Sequence, residues 1–264
     1  MSKIAQAFDH GKAFIPFVTA GDPDLETTKE LLLVLQESGA DLIEIGIPFS
    51  DPVAEGIVIQ KADERALAAG TTTDKIFDMV ESIQDKMHVP MVFMTYANVI
   101  FVYGIEKFAK RSKEIGMSGV IIPDVPFEEK EEMDSVFSKY DLDVISLIAP
   151  TSHDRIQAIA AEAKGFVYCV SSLGVTGMRS TINKGVAQMI EQVKKTKDIP
   201  CAIGFGISTP EQAKEMSEFS DGVIVGSAIV KLVETYGKEL KKIPQNLKSL
   251  SVCEEHERGN FLKS

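Results

Sequence analysis

Eight short runs of apolar, largely β-branched residues recur along this 264-residue chain, and each is followed by a segment with helical spacing. They begin near Phe14 (FIPFVTA), Leu42 (LIEIGIP), Pro90 (PMVFMTY), Gly119 (GVIIPD), Asp143 (DVISLIAP), Gly165 (GFVYCVSS), Pro200 (PCAIGFG) and Gly222 (GVIVGS). Strands this uniformly apolar are buried on both faces, the condition of a parallel sheet covered by helices. Between them, Ile182, Val186, Met189, Ile190 and Val193 recur at the intervals of one helix face, as do Ile156, Ile159, Ala160 and Ala163. Ser152 and Thr209 stand where N-caps are needed, the latter with Pro210 at the first helical position. Eight strand–helix units over ~250 residues have the length and order of a (β/α)8 TIM barrel, an α/β fold. A doubly wound open sheet is disfavoured by the eight regular units and by the lack of G-x-G-x-x-G after the first strand. No linker or shift in composition divides the chain. Residues 1–250 therefore read as one barrel domain and the polar residues 251–264 as a C-terminal tail.

Two strand-to-strand intervals, Leu42 to Pro90 and Gly165 to Pro200, exceed the others. The surplus falls after the second strand (Pro48 to Gly70) and after the sixth (Ser171 to Thr181). It predicts long loops on the face where barrels build active sites. The segment Leu173 to Gly177 reads as a hinged lid. A formal net charge of −11 disfavours nucleic acid and anionic membranes as partners. The longest apolar stretch, Met91 to Gly104, is broken by Thr95 and Asn98 and falls short of the ~20 residues of a membrane helix. The N-terminus has no secretory pattern, so a soluble chain is expected. Cys169, Cys201 and Cys253 are an odd number without a CxxC pair, which points away from a disulfide framework and toward a reducing cytoplasm. The histidines His10, His88, His153 and His256 are scattered, so no metal site is expected.

Glu44 lies among aliphatic residues in the middle of the second strand. Desolvating a carboxylate there is costly and raises its pKa. It is either a paired structural residue or an acid–base group tuned by burial, and a parallel barrel strand, with no solvent face at its middle, favours the second. The following loop adds Asp51 and Glu55. Glycines cluster after the last three strands: Gly174 and Gly177, then Gly204 and Gly206, then Gly226 before Ser227. Loops after strands seven and eight often seat a phosphate on backbone N–H groups, and glycine permits the close approach. A phosphorylated small molecule is therefore the expected substrate. No lysine lies in any strand, which disfavours a Schiff-base aldolase. Tyr168 shares a strand face with Phe166 and Val170, either as core or with its hydroxyl reaching Glu44 or a substrate.

Several of these segments together carry a family resemblance. They are Pro16 to Pro23 (PFVTAGDP), Leu42 to Gly56 (LIEIGIPFSDPVAEG) with Gln60 and Arg65-Ala66-Leu67, Thr95 to Asn98, Pro123 to Pro126, Gly174 to Gly177 (GVTG) and Gly204 to Ser208 (GFGIS). Nearly the whole chain, in order, resembles the tryptophan synthase α chain family, and PFSDP with GVTG is highly specific. The resemblance implies a lyase that cleaves indole-3-glycerol phosphate to indole and glyceraldehyde 3-phosphate. It also implies an α2β2 heterotetramer in which indole passes to a PLP-dependent β chain, with no cofactor in this chain. Glu44 matches the family's acid–base residue and Glu55 the carboxylate that hydrogen-bonds the indole N–H. Gly177, Gly206, Gly226 and Ser227 would hold the phosphate. Phe17, Tyr96, Tyr168, Thr176 and Phe205 would line or close the indole pocket, and Pro48, Asp51, Asn98 and Pro126 would face the β chain. Position 55 departs from the family, which has Asp there, and Ile57 replaces its proline. That departure supports an alternative, a catalytically weakened α-like chain that mainly binds and activates the β chain. A third reading, another phosphate-binding barrel, is disfavoured by PFSDP with GVTG.

Overall fold

The structure, a computed structural model, describes residues 3–171, 179–204 and 209–243. Each of the eight apolar runs carries one strand: β1 (Ala13–Thr19), β2 (Ile43–Gly46), β3 (Met91–Met94), β4 (Gly119–Ile121), β5 (Asp143–Ile148), β6 (Val167–Val170), β7 (Cys201–Gly204) and β8 (Gly222–Val225). All neighbours pair in parallel, and β8 returns to β1, with Phe14 opposite Val223, to close the barrel. Eleven α-helices lie among the described residues. They are α1 (Lys3–Gln6), α2 (Leu25–Glu37), α3 (Ile57–Ala68), α4 (Thr73–Glu81), α5 (Ala97–Tyr103), α6 (Ile105–Glu114), α7 (Lys130–Phe137), α8 (Ile156–Glu162), α9 (Arg179–Thr196), α10 (Pro210–Ser217) and α11 (Ser227–Tyr236).

Closure gives every strand two buried faces, and the period of two divides its side chains between them. Ile43, Ile45, Phe93, Val120, Val144, Cys169, Ile203 and Val223 join the layer between barrel and helices. Ile15, Phe17, Leu42, Val92, Ile121, Ile145, Tyr168, Ala202 and Ile224 fill the barrel interior. Glu44, between Ile43 and Ile45, consequently points inward. The outer layer is tightened by Phe77 of α4, which meets Phe93 of β3 edge-on at 5.4 Å and Phe108 of α6 at 5.2 Å. Such ring pairs contribute about 0.5–1.5 kcal/mol each beyond their buried area. Cys169 and Cys201 are buried free thiols, and Cys253 lies outside the described residues.

Two expectations need adjustment. The surplus after β2 is a ten-residue loop, 47–56, followed by an extra helix, α3, and part of the surplus after β6 is taken up by the eighteen residues of α9. Ser152 is not an N-cap: it lies inside a 3-10 helix, Pro150–Arg155, and its Oγ accepts from the Ala149 N–H at 3.1 Å. Its hydroxyl turns back to close the turn leaving β5 because α8 begins only at Ile156. Thr209 does cap α10, in a capping box with Gln212 and with Pro210 following. The segment from Leu173 to Gly177 and the tail 251–264 lie outside the described residues.

Candidate active site

Glu44 is fully enclosed, at 0% exposure, and neither carboxylate oxygen has a hydrogen-bond partner. Its Cα lies opposite Phe17 on one side and Val92 on the other. A carboxyl in such a place resists ionisation. Burial, with Glu55 adding its negative charge, pushes the Glu44 pKa up to about 8. At neutral pH it is predominantly a protonated acid.

Two glycines make room around it. A Cβ at Gly46 would stand 2.6 Å from the Phe17 ring, and one at Gly204 would collide with the Tyr168 ring and hydroxyl. Each aromatic therefore lies flat against a strand end that only glycine leaves open. The Phe17 ring also contacts the position above Gly226, at 3.4 Å, so it spans from the end of β2 to the end of β8. Tyr168 is buried in the interior with Phe166 and Val170 packed in the same cluster, and burial beside Glu44 and Glu55 raises its hydroxyl pKa. It is core, and no hydrogen bond joins its hydroxyl to Glu44, whose carboxylate oxygens are unpartnered.

Glu55 is half-buried on the loop after β2. The Tyr96 hydroxyl donates to Glu55 Oε2 and accepts from the Ala54 N–H at 3.0 Å, so one phenol holds both the carboxylate and the backbone of the residue before it. Phe49 stacks on Tyr96 at 5.1 Å, and the Gln60 amide donates to the Glu55 carbonyl at 2.8 Å. Burial raises the Glu55 pKa, and the Tyr96 bond counteracts that rise.

The other loop carboxylates are engaged elsewhere. Asp51 is exposed and accepts from the Ser50 hydroxyl at 2.5 Å. Asp124 accepts from the Ala97 N–H at 3.0 Å, capping α5 from a neighbouring loop. Gly226 is the N-cap of α11 and Ser227 its first residue, which directs free backbone N–H groups toward the barrel mouth. Thr176, Gly177, Phe205 and Gly206 lie outside the described residues. Of the expected interface residues, Asp51, Asn98 and Pro126 are exposed, whereas Pro48 is buried within this chain. Among the described residues no group of three or more His, Cys, Asp or Glu could hold a metal ion.

One neighbour escaped the sequence reading. Asp63 of α3 is 5% exposed, and burial together with the nearby Glu55 charge pushes its pKa up to about 8. In KADERALA it looks like one charge among several on a solvated helix. The available signal was its place beside Ala62 and three before Ala66, on the small-residue face that α3 buries.

A profile of the family described as tryptophan synthase alpha chain matches residues 4–260. A tryptophan synthase alpha chain of Lacticaseibacillus casei is 49% identical over 244 residues, covering 92% of this chain and 91% of that protein. That of Petrotoga mobilis is 46% identical, covering 96% of this chain and all of its own length, 100%. Among solved structures, tryptophan synthase subunit alpha from Legionella pneumophila str. Paris superposes with a TM-score of 0.85 at 37% identity, over 95% of this chain and 97% of that one. Tryptophan synthase from M. tuberculosis in an aminoacrylate-bound form does so at 0.85 and 31%, over 96% and 99%.

Proposed function

This chain belongs to the tryptophan synthase alpha chain family, and from that premise we propose how its barrel mouth works as a lyase on indole-3-glycerol phosphate. The reaction breaks a carbon–carbon bond and yields indole and glyceraldehyde 3-phosphate. The electrons of that bond need a sink, and the indole ring becomes one once C3 is protonated. Glu44 supplies that proton: it is an enclosed acid that still holds its proton at neutral pH. Positive charge then develops at the ring nitrogen, where Glu55, oriented by Tyr96, accepts the N–H and stabilises it. The Glu44 carboxylate left behind takes the proton of the side-chain hydroxyl next to the ring. The carbonyl of the aldehyde forms, the bond to C3 breaks, and its electron pair restores the indole. Phe17, Tyr96 and Tyr168 hold the ring, with Thr176 and Phe205 closing over it. The phosphate lies on the N–H groups of Gly226 and Ser227, joined by Gly177 and Gly206. The observation that carries this reading is Glu44, an acid enclosed in an apolar barrel with no partner of its own. No residue of this chain needs a cofactor for these steps.

The partner we propose is a PLP-dependent tryptophan synthase β chain in an α2β2 heterotetramer, which receives the indole, in the cytoplasm. Large apolar side chains stand exposed on the loop after β2 and on the neighbouring helices, namely Val53, Ile57, Phe101 and Val102. Asp51 lies on that same loop, Asn98 in the first turn of α5 and Pro126 after β4. Apolar exposure at an active-site rim suits a docking face. Among the described residues no helix is long and apolar enough to cross a membrane. Glu55, whose extra methylene motivated the weakened-chain alternative, has its carboxylate held by the Tyr96 hydroxyl. Release of indole from indole-3-glycerol phosphate by the chain with its β partner tests the proposal. Partner activation without any such cleavage would favour the alternative.

A further inference from the structure

The segments that follow β4 and β5 enclose a cavity of about 410 Å3. Val125, Phe127 and Ile159 make much of its wall apolar, and its inner end reaches Ala54 and Val170 beside the barrel mouth. That is room for a small organic molecule. Lys130, the first residue of α7, stands in the wall and is only 9% exposed. Its Nζ donates to Ser146 Oγ of β5 at 2.8 Å, and the buried Ser146 lines the same cavity. An ammonium carries three donors and a charge. The neutral Ser146 hydroxyl serves one donor and none of the charge. Asp134, one turn along α7, is paired with Lys164 at 2.7 Å, and Arg155, which also lines the cavity, is paired with Glu128 at 3.2 Å. Among the described residues no ion pair reaches Lys130. Buried charges are ordinarily paired, and burial here pulls the Lys130 pKa below the usual lysine value. The steps assigned to Glu44 and Glu55 make no use of this lysine.

We propose that this cavity is a binding site for a small organic carboxylate, whose anionic end meets Lys130 and Ser146 and whose apolar body fills the space between the two segments. The site goes beyond the lyase reading and does not depend on it. A carboxylate brings the acceptors that the ammonium lacks, and a charge-assisted hydrogen bond to a buried cation is among the stronger ones. Ser146 accepts from Lys130 and keeps its own hydroxyl proton to donate to the second carboxylate oxygen. One buried cation balances one negative charge. A phosphate dianion would carry a second charge into an apolar space with nothing to offset it.

Benzoate serves as the probe and benzamide as its uncharged isostere, each titrated by calorimetry into the full chain at pH 7. Benzoate should bind in the millimolar range and benzamide about tenfold more weakly or worse, the usual worth of a hydrogen bond to a charged group. With 13C at the lysine Cε, the signal that benzoate shifts should be the one lost in Lys130→Met. That variant keeps a long unbranched side chain without the charge. It should weaken benzoate about tenfold or more and leave benzamide unchanged. Saturation with a β chain should leave benzoate binding in place. Benzamide binding as tightly as benzoate overturns the inference, and that comparison needs no variant. Benzoate that does not bind, or that binds Lys130→Met as tightly as wild type, overturns it too. Loss of benzoate on adding the β chain also overturns it, because an acidic side chain of the partner then takes the cavity. A chain that binds benzoate at Lys130 but releases no indole leaves this site standing and overturns the lyase reading alone.

Discussion

At the scale of single residues, the buried carboxyl of Glu44 weakens the fold as the pH rises. Its pKa lies near 8 in the folded chain against an ordinary value of 4.5, so the native state keeps a proton that the unfolded chain releases. Stability is therefore undiminished below about pH 4.5, falls as the pH rises, and carries the full penalty above about 8. Glu44→Gln removes this penalty. Thermal or urea unfolding should find the variant more stable than wild type by on the order of 4 kcal/mol near pH 8.5 and little different near pH 4.5. A gap that does not widen with pH would mean that Glu44 is solvated. Tyr96 acts the other way on Glu55, because its hydroxyl bond favours the ionised form. Tyr96→Phe should move the acid limb of the kcat/KM profile to higher pH, because the proposed role of Glu55 at the indole nitrogen needs its ionised form. A limb that stays in place would show that the phenol does not hold that carboxylate.

At the scale of elements, α3 matters most, because it follows Glu55 directly and carries Asp63 and Arg65. Arg65 bridges the buried Asp22 after β1 and the exposed Glu234 of α11, and so clamps α3 across the β1–β8 seam. Arg65→Ala leaves Asp22, 3% exposed, without its counter-ion, and should cost roughly 3 kcal/mol, read as a lower unfolding midpoint. Loss of less than about 1 kcal/mol would mark the pair as a surface contact. The eight strands and the burial of Glu44 were legible in sequence because a buried parallel strand leaves an unbroken apolar run, within which a lone carboxylate stands out. The helix α3 was less legible. Its run IVIQKADERALA mixes charges through a narrow buried face of Ala62, Asp63 and Ala66, so Pro48 to Gly70 read as loop. Ser152 misled for a related reason, since Ser, Thr, Asn and Asp favour any tight turn as readily as an N-cap. Gly46 and Gly204 carried a readable cue, a glycine at a strand end, but which ring it would admit depends on neighbouring strands far off in sequence.

At the scale of the whole molecule, the loop after β2 that carries Glu55 also carries exposed Val53, with Ile57, Phe101 and Val102 exposed on the helices α3 and α5. Val102 of α5, 81% exposed, is one of these side chains and lies away from the acid–base pair. Val102→Asp should weaken association with the β chain about tenfold or more while leaving indole release by the isolated chain unchanged, because a charge in a docking face must be desolvated on binding. Unaltered association, read by titration calorimetry or size-exclusion chromatography, would place the interface elsewhere. Family and barrel together explain why an enclosed, unpartnered acid persists in a core that would be more stable without it. The most direct test is single-turnover cleavage of indole-3-glycerol phosphate at pH 7 by wild type and Glu44→Gln, each saturated with β chain, with indole release followed in time. Proton transfer from a positioned acid is worth about 10²–10⁴-fold, so the variant should be slower by at least 100-fold while binding the substrate normally. A variant that cleaves within tenfold of wild type would contradict the account and put the proton for C3 on another group.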